Sequence, residues 1–210
     1  MSAPIKINKR ANWIATNPLL LAGELAQESD TGNLKIGDGI QRWTQLPYHG
    51  CPGYWGSFFD LTSQTAATIN TPTAIALRSA DASNRGVVVA SDSRITVANP
   101  GIYSITFSIQ FSNTDTAIHD VNVWLRKNDS GTSGDVANSD SKFSIIASHG
   151  GTPGNVIGTV NFVLPLVAKD YIELMWSTSS LQAYIHAEAA GETHPAIPGI
   201  ICTVTQVASA

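Results

Sequence analysis

"GIYSITFSIQFS", residues 101–112, decides the fold class. Tyr103, Ile105, Phe107, Ile109 and Phe111 alternate with Ser104, Thr106, Ser108, Gln110 and Ser112. A period of two places the first set on one side of a β-strand and the second set on the other. One face is therefore buried and the other polar. Asn99-Pro100-Gly101 supplies the turn that precedes the strand.

Outward from this strand, similar short runs recur between clusters of Gly, Pro, Asn, Asp and Ser. They are Tyr54–Leu61, Ala74–Leu77, Gly86–Ala90, Arg94–Val97, His119–Asn128, Val156–Val167, Tyr171–Ser177, Leu181–Ala187 and Ile200–Val207. Helical periodicity is confined to a short turn around Leu19–Ala26. Ten strands without helices imply an all-β sandwich or barrel. "NDSGTSGDVANSDS" and "SHGGTPGN" read as exposed polar loops.

Charged residues make up 13% of the 210-residue chain and hydrophobic residues 43%, which is enough to build a core. The net charge is −4 and no basic face is visible, so nucleic acid is not an expected partner. Lys6, Lys9 and Arg10 read as a solvated arm. No apolar run reaches membrane-spanning length, so no membrane insertion is expected. Asn17-Pro18 interrupts the only signal-like patch, and the reading is a mature protein assembled in a cytoplasm. Cys51 and Cys202 are not spaced as a metal knuckle or redox pair. They either pair, if the ends of the second domain meet, or remain free.

"ESDTGNLKIGDGIQRWTQLPY", Glu28–Tyr48, has a different texture. Asp30-Thr31-Gly32 and Gly37-Asp38-Gly39 are turn triplets, with Asp as the cap and Gly supplying positive φ. Leu34 and Ile36 share a face of the intervening strand, Trp43 and Leu46 can cover it, and Pro47 ends the segment. A module this small cannot bury enough apolar area alone, whereas three copies sharing a core would. Composition changes at "YHGCPG", which divides the chain into an N-terminal β module (1–50) and a β domain (51–210). The module reads as a trimerising or anchoring knot.

No constellation reaches the standard of an active site. Asp30 and Asp38 lack the alternating ligands and closing Glu of an EF-hand. His186, Glu188, Glu192 and His194 are ligand types, but His-x-Glu is not the His-x-His pattern of metal-binding jelly rolls. No G-x-S-x-G is present and neither Cys has a reactive context. No catalytic residue, metal site or cofactor is expected. Aromatics out of phase with the core carry more. Val121, Val123 and Leu125 mark a core face, so Trp124 points away. Leu181, Ala183 and Ile185 do the same for Tyr184, and Ile172, Leu174 and Trp176 leave Tyr171 and Met175 outward. Outward aromatics on several strands favour an interface.

"NPLLLAGELAQESDTGNLKIGDGIQRWTQLPY", Asn17–Tyr48, resembles the N-terminal module of tailed-bacteriophage fibre and tropism proteins, a likeness that covers about Asn12 to Tyr48. Its "GE", "DTG–LKIGDG" and "W–LPY" elements carry the likeness, with Ser29 where Thr is usual. "GSFFDLTSQTA", "NPGIYSITFSIQFS", "VWLRKN" and "DVANSDS" look like the C1q/TNF-like jelly roll of phage structural proteins, over Tyr54–Val207. The resemblance implies a homotrimeric virion protein. Foremost is a short tail fibre or spike that docks on other virion proteins and binds a host-surface glycan or protein. A capsid or tail decoration protein and a glycan-processing enzyme are the alternatives. It also implies that one sheet faces the threefold axis. On that scheme Leu34, Ile36, Trp43, Tyr171 and Met175 are core or trimer residues. Trp124 and Tyr184, with Arg126 and His186 beside them, form a receptor-binding patch on neighbouring strands of the outer sheet.

Overall fold

The computed structural model describes residues 5–49, 53–128 and 131–209. In the N-terminal module a four-stranded sheet runs in the order β1 (Lys6–Asn8), β2 (Leu25–Glu28), β3 (Leu34–Ile36), β4 (Tyr48–His49). β1 is parallel to β2 and the other pairs are antiparallel. A helix, α1 (Arg10–Thr16), crosses from β1 toward β2. The helical turn expected at Leu19–Ala26 is not there. The helix lies earlier, and only Trp13 of its seven residues is buried, so it has no apolar periodicity to read. Lys9 at its N-cap offers no side-chain bond. Asp30, from the first turn triplet, accepts from the Arg10 backbone N–H at 2.9 Å instead. Asp38 behaves as anticipated and accepts from the Ile40 and Gln41 amides at 2.8 and 2.7 Å. Gly32 and Gly39 have φ of 77° and 76°.

The second region is a two-sheet sandwich. Its strands are β5 (Trp55–Asp60), β6 (Thr73–Ala74), β7 (Ser79–Ala80), β8 (Val87–Ala90), β9 (Arg94–Val97) and β10 (Gly101–Asn113). There follow β11 (His119–Lys127), β12 (Ser141–Ile145), β13 (Gly154–Leu166), β14 (Tyr171–Thr178), β15 (Ala183–Ile185) and β16 (Ile200–Ser209). One sheet has the order β13-β10-β16-β5-β7, with β15 added to β10. The other has the order β12-β11-β14-β9-β8, with β6 added to β14. Consecutive strands β10 and β11, then β12 and β13, change sheets, which is the wiring of a jelly roll. β12 escapes the sequence reading because its Ser-Lys-Phe-Ser-Ile run follows a Ser/Asp-rich loop.

The strand 101–113 lies at the centre. It pairs with β13 along all thirteen of its positions and with β16 from Gly101 to Ile109. Its inward set, Tyr103 to Phe111, is fully enclosed between the sheets with Phe58, Val123, Leu174, Trp176 and Val204. The module has its own core of Trp13, Leu20, Ala26, Trp43 and Leu46, which shares no residue with the first. The two regions touch where the Tyr54 hydroxyl donates to the Thr31 carbonyl at 3.4 Å and the Ser209 hydroxyl to that of Tyr48 at 3.3 Å. Residues 50–52, where the domain boundary was placed, lie outside the described residues, and so does Cys51. Among the described residues no helix is long and apolar enough to cross a membrane.

Cys202 is wholly enclosed in β16, and burial pushes its thiol up to about 12. An unfolded thiol titrates near about 8.5. Between these values only the unfolded chain loses the proton, so folding stability present below pH ~8.5 declines as pH rises toward 12, by up to about 1.4 kcal/mol per pH unit. In chemical denaturation at a series of pH values, Cys202→Ala should lack this part of the slope. Identical slopes for the two proteins would contradict the assignment.

Candidate functional site

Side-chain chemistry gathers in three places: the middle of the N-terminal module, the outward face of the β13-containing sheet, and the outward face of the β11-containing sheet.

In the module, the residue facing Trp43 is neither Leu34 nor Ile36. Those two are half-buried on the opposite side of β3, and Lys35, only 4% exposed, points into the core. Its ammonium lies 4.3 Å from the Trp43 ring centre and 4.2 Å from that of Tyr48, and donates to the Trp43 carbonyl at 3.0 Å. Burial lowers the Lys35 pKa, and the negative charge of Glu28 opposes that shift. Glu28, 1% exposed, accepts from the Tyr48 hydroxyl at 2.6 Å, and from Thr31 and Asn33. Burial and this bond raise the Tyr48 pKa. Trp13 stacks on Trp43 at 5.9 Å. Lys35 can occupy the core side of β3 because its long aliphatic stem crosses the apolar layer and delivers its charge to two π-faces. A cleft of about 630 Å³ opens beside this cluster, walled by Arg10, Ile14, Gln45 and, from the sandwich, Pro100.

The two outward faces of the sandwich differ in charge. β10, β13 and β16 contain no Lys, Arg, Asp or Glu, and β5 has only Asp60, which is buried. Across this face run Ser104, Thr106, Asn161 and Thr205, interspersed with exposed Ile157, Val163, Ile201 and Val207. The other face carries Arg94, Asp120, Arg126, Lys142 and Glu173. Lys142–Asp120 and Arg126–Asp135 ion pairs close at 2.7 Å.

The expected assignment of strands to faces requires correction. Tyr171 and Met175 belong to β14, which pairs directly with the β11 strand that bears Trp124. They share the charged sheet with Trp124 and do not face it from another sheet. Met175 is directly opposite Trp124 in the ladder and flanked by Ala74 of β6, so it is 4% exposed despite its outward direction. Tyr184 lies in β15 and pairs with Ser112, beyond the point where β16 leaves β10. It therefore stands at the end of the uncharged sheet, edge-on to His186 at 5.8 Å, and not beside Trp124. Nothing in the spacing of 181–187 reveals this, because the vacant length of β10 is a property of the fold. His186 and His194 each approach the half-exposed Glu188 carboxylate, at 3.8 and 3.9 Å.

Trp124 does point outward, and it has a setting that spacing could not show. Asp135 and Val136 run back along β11, the Val136 N–H donating to the Leu125 carbonyl at 2.8 Å. Asp135 is thereby placed to accept from the Trp124 indole N–H at 2.8 Å and from Arg126 Nε at 2.7 Å. Arg126 is consequently buried and ion-paired, not displayed. Asn122 donates to Asp140 at 2.8 Å. Between these groups lies a cleft of about 340 Å³ whose wall also includes Asn138 and Ser177.

Residues 7–41 match the model of the major tropism determinant N-terminal domain. The likeness to that domain is thus confined to the N-terminal module, and the sandwich that follows it has the wiring of a jelly roll. Among solved structures it is similar to the Eiger TNF of S. frugiperda, at 10% identity and a TM-score of 0.49, over 75% of this chain and 94% of that one. No curated protein matches it. The tropism-module match ends at residue 41, short of Trp43 and Tyr48, which complete the Lys35 enclosure.

Trp43→Ala should cost the module about 3–5 kcal/mol. Lys35→Met keeps the stem but deletes the charge and its bond to the Trp43 carbonyl, and should cost about 1–3 kcal/mol. In scanning calorimetry both should lower a module transition and leave the sandwich transition in place, since the cores are separate. A shift of the sandwich transition instead would contradict this division.

Proposed function

We propose that this protein is a virion attachment protein: a homotrimer that docks on other virion proteins through its N-terminal module and engages the host surface with its jelly-roll head. The observation that carries the reading is the unequal charge of the two sheet faces, taken together with the tropism-determinant match. Copies of a chain with net charge −4 repel one another over most of their surface. A broad face with exposed Ile157, Val163, Ile201 and Val207 and no ionised group is where copies can meet without stranding a charge. The charged sheet, with its ion pairs and the Trp124 cleft, is then left outward for another molecule.

This reading moves the interface away from several residues favoured by the sequence. Trp43 and Met175 are spent within the chain, and Tyr171 stands on the charged sheet with Arg94 over its ring at 4.8 Å. Leu34 and Ile36 remain half-buried on the free side of β3 and are the module's contribution to contacts between copies. No catalytic role is assigned, and the attachment role uses neither a metal nor a cofactor.

Sedimentation velocity at micromolar concentration should give a trimer. Thr106→Glu places one carboxylate in the middle of the uncharged face at an exposed position, so folding is retained and the trimer should dissociate. A native monomer, or a trimer indifferent to Thr106→Glu, would rule out this interface. Localisation in intact virions by electron microscopy should place the protein at the adsorption apparatus.

A further inference from the structure

We propose that the Trp124 cleft is a saccharide site selective for neutral pyranoses, an assignment that rests on the attachment reading and narrows it to a ligand class. The cleft, at about 340 Å³, is at the small end of the range of ligand pockets and holds one or two sugar rings. Its components match the two sides of a pyranose. Sugar C–H groups form an apolar face that stacks on an aromatic ring, and the ring edge bears hydroxyls that donate and accept hydrogen bonds.

The aromatic platform is held before any ligand arrives. The indole N–H is bound to Asp135, which is itself pinned by Arg126, and Met175 lies directly opposite in the ladder as a buried neighbour. Rotation of the ring out of the cleft would break the first bond. Around the platform stand two carboxylates and two side-chain amides, from Asp135, Asp140, Asn122 and Asn138, with the Ser177 hydroxyl. Asp140 and Asn138 are exposed, and Asn122 already holds Asp140 in place. Carboxylates and amides accept from and donate to vicinal diols at such short range.

Charge sets the selectivity. Among the described residues, Arg126 is 5% exposed and lies behind Asp135, and Lys142, opposite Asn122 in the ladder, is ion-paired to Asp120 at 2.7 Å. The surface presented to a ligand is thus carboxylate-rich. A uronate or a phosphorylated sugar would bring a like charge against Asp135 and Asp140, whereas an uncharged ring meets no such cost. A single site of this size is weak, and three copies in one particle would raise its effective affinity.

The test is saturation-transfer NMR on the full-length protein with methyl glycosides of glucose, galactose, mannose and N-acetylglucosamine, and with methyl glucuronide as the acidic probe. Transfer to the ring protons of at least one neutral glycoside, and none to the glucuronide, is expected. Asp140→Ala alters an exposed side chain and leaves the fold intact. It and Trp124→Ala should each weaken the signal by about tenfold. No transfer to any neutral glycoside, equal transfer to the glucuronide, or an undiminished signal from Asp140→Ala at an unchanged melting temperature would overturn the assignment. Binding of labelled protein to host cells, measured in parallel, separates the two readings. Cell binding that survives in both variants overturns the saccharide site but leaves attachment standing. Sugar transfer to the cleft by a native protein that binds no cells supports the site and overturns attachment.

Discussion

Everything in the sandwich is referred to one strand that is paired on both sides. β10 has a partner in β13 at every position, and on its other side β16 and then β15. With both edges occupied, its side chains can point only into the core or out to the sheet surface. A slip of one residue would turn Ser104, Thr106, Ser108 and Gln110 into the core and expose Tyr103, Ile105, Phe107, Ile109 and Phe111. The register is thus fixed by the hydrophobic pattern, and the register in turn fixes what every neighbouring strand displays.

The absence of charge on that sheet and its abundance on the other follow from the same alternation applied to two sequences. In β10, β13 and β16 the outward positions are Ser, Thr, Asn, Gln110, Pro165 and aliphatics. In β11, β12 and β14 they include Asp120, Arg126, Lys142 and Glu173. The core faces of both are equally apolar, so this partition adds little to folding. Surface ion pairs such as Lys142–Asp120 add little to stability, because solvent screens them. The division is what the proposed attachment role asks for: one surface for other copies and one for another molecule.

What could be read from the sequence was whatever depends on neighbours along the chain. The alternation of 101–112 gave a long strand with the right face inward, and the Asp-Gly triplets gave the turns with positive φ at Gly32 and Gly39. The outward direction of Trp124 follows from Val123 and Leu125 in the same way. What failed depends on distant pairing. Lys35 was passed over because charge argues against burial, and its two aromatic faces come from positions eight and thirteen residues further on. Tyr184 was given to the wrong sheet because only the end of β16 at Ile200 leaves an open stretch of β10 for β15 to join. The Asp135 support of Trp124 arises from a loop folding back along β11, which no periodicity announces.

The cap that Asp30 supplies to α1 makes residues 5–49 one indivisible unit. A helix of seven residues is too short to persist alone, and its first amide is bound only once the chain has turned back twenty residues later. Trp13 meets its stacking partner only when Trp43 arrives, and β3 gains its second neighbour only with Tyr48 and His49. For anyone wishing to graft this module onto a different protein, the suture belongs after His49. A cut at residue 41 would carry the recognisable signature across while leaving behind the side chains that close it.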